Sequence, residues 1–189
     1  MVRPIVFAAA FAAVVIQAHG EIDFTPKESF YMAEATKVSN VAFRNGKKKM
    51  TYSPPGKWTL SGGGRKVTIT PPDVPQAGAT MQTEPAKAEL LPATGENVKA
   101  YSDLAVSLLP KEALKVVVVE ALVAPIQISR HAMVEVTLTY VHFGQQFTTN
   151  ILFLPYEKEQ ITFQMTARTP DFAPLAKMFR SSLFSLQGL

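Results

Sequence analysis

Over residues 161–186, "ITFQMTARTPDFAPLAKMFRSSLFSL", the hydrophobic period changes. Ile161, Phe163, Met165 and Ala167 alternate with polar residues, as in a half-buried strand. Beyond Thr169 and Pro170, the residues Phe172, Leu175, Ala176, Phe179, Leu183 and Leu186 recur on one helical face. This predicts a strand that runs directly into an amphipathic helix lying back across its own sheet and closing the domain. Asp171 is the expected N-cap, which leaves Pro174 in the first turn, where a missing N–H does no harm.

The preceding stretch reads almost wholly as β. "KVVVVEAL" from Lys115 is a β-branched run that predicts a buried strand, interrupted by Pro125. In "HAMVEVTLTYVHF", Val134, Val136, Leu138 and Tyr140 alternate with Glu135, Thr137 and Thr139. Turns at Gly144-Gln145 and at 156–160 then predict three consecutive antiparallel strands ending with "ITFQMTAR".

Earlier elements follow the same logic. "ENVKAYSDLAVSLLP" sets Val98, Tyr101, Leu104, Ala105 and Leu108 at helical spacing until Pro110, which predicts a helix covering one sheet face. Trp58-Thr59-Leu60 and Val67-Thr68-Ile69 flank the glycines of residues 61–64 as a hairpin. The Pro/Ala/Thr/Glu-rich segment 71–97 is a connection with one strand near residues 79–83. "TPKES" carries a helix-start signature: Thr25 as cap, Pro26 in the first turn and Glu28 completing a capping box. A short helix to about Thr36 follows, anchored by Phe30, Tyr31 and Val38. The expected organisation is a leader over 1–20, an extension with a short helix over 21–43, and an α+β domain over 44–189. In that domain helices cover an antiparallel sheet as an α/β/α sandwich.

The leader changes the picture of compartment. "MVRPIVFAAAFAAVVIQAHG" has one early basic residue, Arg3, an apolar run from Ile5 to Ile16 and small residues after it, the pattern of a secretory signal peptide. The run falls short of the roughly 20 apolar residues a spanning helix needs. Cleavage follows Ala18 or, the preferred site, Gly20 with Ala18 three residues upstream. The expected location is periplasmic or secreted, with membrane contact only through the leader. There is no cysteine, so thiolate metal sites, cysteine nucleophiles and disulfides are excluded. The 189 residues, 47% hydrophobic, must hold together by their apolar core.

Charge narrows the partners. The net charge of +4 is spread along the chain apart from Arg44, Lys47, Lys48 and Lys49 around the Asn45-Gly46 turn, so nucleic acid is not expected. That basic turn is the candidate partner-binding feature. "GGGRKVT" is not a phosphate loop, because Lys66 is followed by Val67 and a strand. His131 and His142 lie at opposite ends of one strand and cannot share a metal. Ser181, Ser182 and Ser185 read as surface or small packing positions on the closing helix. No paired carboxylates and no nucleophile elbow appear. The expectation is a protein with no cofactor, no metal and no catalytic residues.

The hairpin after "YSPPGKW" at Tyr52–Trp58, the long connection, the middle helix, the strand run and the closing "MFRSSLFSL" helix resemble the PsbP-like family, over about Lys49 to Leu186. That family includes an extrinsic lumenal subunit of photosystem II, the Ran-binding Mog proteins and exported bacterial relatives. The resemblance implies an α+β sandwich and a non-catalytic role, docking to an as yet unidentified protein. The leader is a short export signal rather than a plastid transit sequence. The alternative role is a small-ligand carrier with a pocket between sheet and helices.

Overall fold

The computed structural model of the protein describes residues 21–34, 36–85 and 90–189. The expected leader at 1–20 lies outside the described residues. Over these residues the fold is α+β, with two α-helices and two antiparallel sheets.

Three strands, β1 (Ile22–Ala33), β2 (Thr36–Asn45) and β3 (Lys48–Tyr52), form a small sheet in the order β1-β2-β3. The main sheet holds β4 (Thr59–Gly63), β5 (Lys66–Thr70), β6 (Gly78–Pro85), β7 (Leu114–Val123), β8 (Val134–His142), β9 (Gln145–Tyr156) and β10 (Glu159–Arg168). Its order is β4-β5-β6-β10-β9-β8-β7. Helix α1 (Val98–Ser107) precedes β7, and α2 (Thr169–Leu183) follows β10 without a loop.

The alternation read from the sequence sets the layers. In the β8–β9 register Val134 faces Phe153, Val136 faces Ile151 and Tyr140 faces Phe147; this apolar face packs under Tyr101 and Ala105 of α1. On the opposite face Leu154 faces Ile161 and Leu152 faces Phe163, beneath Leu175, Phe179 and Leu183 of α2. Strand β9 is therefore apolar on both faces, as a strand buried between two helical layers must be. The small sheet shares the α2 side, where Ile22, Phe24, Phe43, Met50 and Tyr52 join the same core. The C-terminal end clasps β3: Thr51 and Gln187 exchange two backbone hydrogen bonds, each 3.0 Å, and Tyr52 Oη lies 2.7 Å from Ser182 Oγ.

Three expectations are corrected. The segment from Thr25 is not a helix but β1, paired with β2 from Ser29↔Asn40 to Ala33↔Thr36. Pro26 sits where the β1–β2 register slips, between Asp23 and Lys27 on an edge strand, the place in a sheet that tolerates proline. The amide of Phe24, released there, donates to the Gly64 carbonyl at 2.6 Å, and Thr25 Oγ1 accepts from the Gly64 amide at 3.0 Å. Long-range pairing overrides the local capping signal, and 21–43 supplies core residues rather than an extension. Second, the "VVVV" strand is not buried. It is the outer edge of the main sheet, with Leu114 65%, Val117 55% and Val119 60% exposed. Third, α2 starts at Thr169, so Asp171 lies in the first turn and pairs with Arg168 at 3.0 Å instead of capping. Pro174 falls beyond that turn, inside the helix.

Candidate functional site

The basic turn joins β2 to β3, where Gly46 takes a positive φ of 59° that favours glycine. Its four cations do not act together. Arg44 pairs with Asp23 at 2.9 Å; hydrogen bonds from Thr25 and then the Arg44 guanidinium hold the Asp23 carboxyl below the usual range. Lys49, across the strands from Arg44, donates its ammonium to Ser29 Oγ at 2.5 Å on β1. Lys47 and Lys48 are exposed on the turn, with no ion-pair partner among the described residues.

Lys49 also lines a cleft of about 420 Å³ between the small sheet and the end of α2, with Ser29, Tyr31, Asn40, Ser53 and Ser185. The alternation of β1 and β2 brings these polar groups to one side. Asn40 is buried, and its Oδ1 meets no donor. No carboxylate pairs with Lys49 among the described residues. The cleft can hold a small polar or anionic group. In the cleft Ser185 Oγ accepts from the Ser53 amide at 2.8 Å and donates to the Ser182 carbonyl at 2.6 Å. Ser182 is likewise occupied, by Tyr52 and the Phe179 carbonyl.

The histidines are kept apart. His131 precedes β8 and packs edge-on to Tyr156, with ring centroids 5.2 Å apart; His142 ends β8 against Phe143 and Phe147. No cluster of His, Asp or Glu among the described residues is arranged to hold a metal ion. None of their helices is long and apolar enough to cross a membrane. Burial pushes the Tyr52, Tyr101 and Tyr140 phenols above their ordinary value.

One departure from an ordinary surface is a row of apolar side chains. Along β7, Leu114, Val117, Val118, Val119 and Val123 are all exposed, while the strand's inner positions Val116 and Ala121 pack toward α1. Register slips between Leu114 and Val117 and between Val118 and Glu120 break the regular ladder, whereas Glu120–Val123 pairs with β8 residue for residue. Sequence reasoning missed this surface because a β-branched run looks alike in a central and in an edge strand. It also missed the Arg180–Glu135 pair: the period placed Glu135 on a polar face without showing that α2 would land there.

No family model and no curated protein sequence matches the chain. Among solved structures it is similar to PA94, a Pseudomonas aeruginosa protein of unknown function, at 11% identity and a TM-score of 0.51. That match covers 86% of this chain and 97% of that one. A Bacteroides thetaiotaomicron structure gives 11% identity and a TM-score of 0.47, over 74% of this chain and 45% of that one. The first likeness is one of fold.

Proposed function

We propose that the protein is a non-catalytic exported binding module of the PsbP-like type, working through contacts with another protein along the β7 edge. The observation that carries this is the exposed row Leu114, Val117 and Val119 on a strand that has no neighbouring strand on its outer side among the described residues. Exposed apolar edges invite a further strand, and strand addition to such an edge is a recurring mode of peptide recognition. Glu120–Val123 offers free backbone groups for an extended partner segment, and the bulged part offers side chains. The PsbP-like reading draws support from the helix-covered antiparallel sheet and the hairpin after Trp58. Lys47 and Lys48 act on encounter rate, as exposed charges do.

A photo-crosslinking residue at Val119, compared with one at Lys57 in the turn before β4, the strand at the opposite edge of the main sheet, tests this in the native cell. The expected result is one discrete adduct from position 119, lost when Val117 is changed to Lys. Adducts of equal yield from both positions refute the assignment.

A second reading, a small-ligand carrier, is favoured by the Lys49 cleft with its acid-free ammonium. Citrate and phosphate, used as anionic probes, then raise the melting temperature of the parent but not of a Lys49→Met variant. Equal shifts in both remove this reading.

A further inference from the structure

We propose that the Lys49 cleft binds an acidic sugar, a hexuronate or a similar ring that carries one carboxylate and several hydroxyls. The proposal rests on the small-ligand reading and gives that ligand a chemical class.

The fold gathers polar groups on one face of the small sheet. Val41 and Phe43 of β2 and Met50 and Tyr52 of β3 pack into the main core, so Asn40 and Ala42 lie on the opposite face. Ser29 stands directly opposite Asn40 in the β1–β2 register, and residues so paired are about 4.5–5.5 Å apart at Cβ. Lys49 sends its ammonium from β3 to Ser29 Oγ at 2.5 Å. Ammonium and amide therefore share one end of the cleft. Ser185 and Gln187 complete it, carried in by the backbone hydrogen bonds between Gln187 and Thr51.

Two features call for a ligand with both charge and hydroxyls. Asn40 is only 9% exposed and lines the cleft, yet nothing donates to its Oδ1. A buried amide oxygen without a donor is costly and rare in native folds. A half-turn about the last torsion of the side chain exchanges Oδ1 and Nδ2, so the amide can offer the cleft an acceptor or a donor. A hydroxyl, being both, satisfies it in either orientation. The second feature is charge. Among the described lining residues Lys49 alone is charged, and none is a carboxylate. A bound carboxylate gains a charge-assisted hydrogen bond from Lys49. Ser29 Oγ accepts from the ammonium and keeps its own proton for an anionic oxygen.

Simpler ligands answer only part of this. An α-amino acid leaves its ammonium facing no acid. A bare carboxylate answers Lys49 and leaves the Asn40 amide as it was. A hexose-sized ring joins the two groups, and the volume of about 420 Å³ lies within the range of about 300–1,000 Å³ usual for small-molecule sites. Tyr31, on the same side of β1 as Ser29 and half-exposed, gives the rim a flat apolar surface for the C–H face of such a ring.

Titration calorimetry on the folded protein tests this with D-glucuronate, D-galacturonate and two partial mimics. D-glucose has the hydroxyls without the charge; cyclohexanecarboxylate has the charge and the ring without the hydroxyls. One of the uronates should bind at least about tenfold more tightly than either mimic, as one good hydrogen-bonded group would dictate. Lys49→Met removes the advantage over glucose, and Asn40→Leu removes the advantage over cyclohexanecarboxylate. Leucine fills the space of the amide without an undonated oxygen, so Asn40→Leu melts at or above the parent's temperature. A much lower melting temperature makes the amide a structural group and overturns the proposal. Lys49→Met alters an exposed side chain and reports on the folded protein in either case. Uronates and cyclohexanecarboxylate bound equally, and both lost in Lys49→Met, overturn the sugar assignment and leave an anion carrier standing. A parent that binds none of these, nor citrate or phosphate, overturns the proposal and the small-ligand reading together.

Discussion

Arg180 on α2 and Glu135 on β8 form an ion pair in which the carboxylate side chain is 7% exposed and the guanidinium 38%. Glu135 has one further donor, the Asn150 amide at 2.8 Å, which also serves Thr137 at 2.9 Å. Changing Arg180 to Met keeps a long apolar stem on the helix but strands the carboxylate beneath α2 with a single neutral donor. Breaking a fully buried pair costs about 3–5 kcal/mol, because the remaining charge stays out of water. Here solvent reaches the arginine, so the cost is discounted to about 1–3 kcal/mol. Glu135→Gln leaves a half-exposed guanidinium that water can solvate, and costs about 0.5–1.5 kcal/mol. The double variant no longer contains a stranded charge, so it should be less damaged than the sum by about 1–2 kcal/mol. Urea unfolding followed by fluorescence of Trp58, the single tryptophan, measures all four proteins. An Arg180→Met midpoint equal to the parent's, or strict additivity in the double variant, would refute the reasoning.

Three further outcomes follow from the packing. Ending the chain after Arg168 removes Leu175, Phe179, Leu183 and Leu186 from the core; at about 1.5–3 kcal/mol each, the loss rivals a typical net stability of about 5–15 kcal/mol. No cooperative melt is expected, and a melt near the full-length midpoint would make α2 an accessory. Gly188→Ala sets a Cβ 2.5 Å from the Lys49 carbonyl at a positive φ of 87°, so it should destabilise by about 1–3 kcal/mol and speed amide exchange at Thr51 and Gln187; unchanged exchange would deny the clasp. Tyr52 ionises near 10 when unfolded, but its folded value is raised by burial, so the folded state holds its proton more tightly. Stability is then fully present below about pH 10 and is lost as pH rises above it, and Tyr52→Phe should flatten that loss in alkaline urea titrations.

Where a segment's period and its tertiary surroundings agree, the sequence is a good guide. The alternation in β8 and β10 and the helical stripe of α2 each had one buried face to satisfy, so Val136, Phe163 and Phe179 lie where their spacing puts them. Thr25-Pro26-Lys27-Glu28 misled because a capping box is worth little against nine residues of strand pairing. The partner strand, Thr36–Asn45, announces itself only once the two are aligned. The candidate sites were less legible still. Lys49 read as one of four turn cations, yet its distinction comes from Ser29, twenty residues earlier, and from Ser185 at the other end of the chain. Local charge density carried none of that.

The β7 edge shows why one misreading can matter for function. A central strand must be apolar on both faces, and an edge strand covered by a helix on one face needs apolar residues on that face only. Val116 and Ala121 meet the second requirement beneath α1, and they account for an alternating strand. They do not account for Leu114, Val117 and Val119, which face water. Nor does protection against aggregation, for which lysine or proline at those positions would serve better. Bulges on either side of Val117 and Val118 already interrupt the ladder, so the sheet limits open-ended pairing there while keeping the side chains apolar. Apolar side chains on an irregular edge suit a particular partner better than indiscriminate strand addition. A variant with Leu114, Val117 and Val119 all changed to Thr should therefore keep the parent's melting temperature within about 2 °C, since surface changes are usually within 0.5 kcal/mol or so. It should also lose the crosslinked adduct. A variant that melts much earlier would show that these residues serve the fold, and the docking assignment would lose its main support.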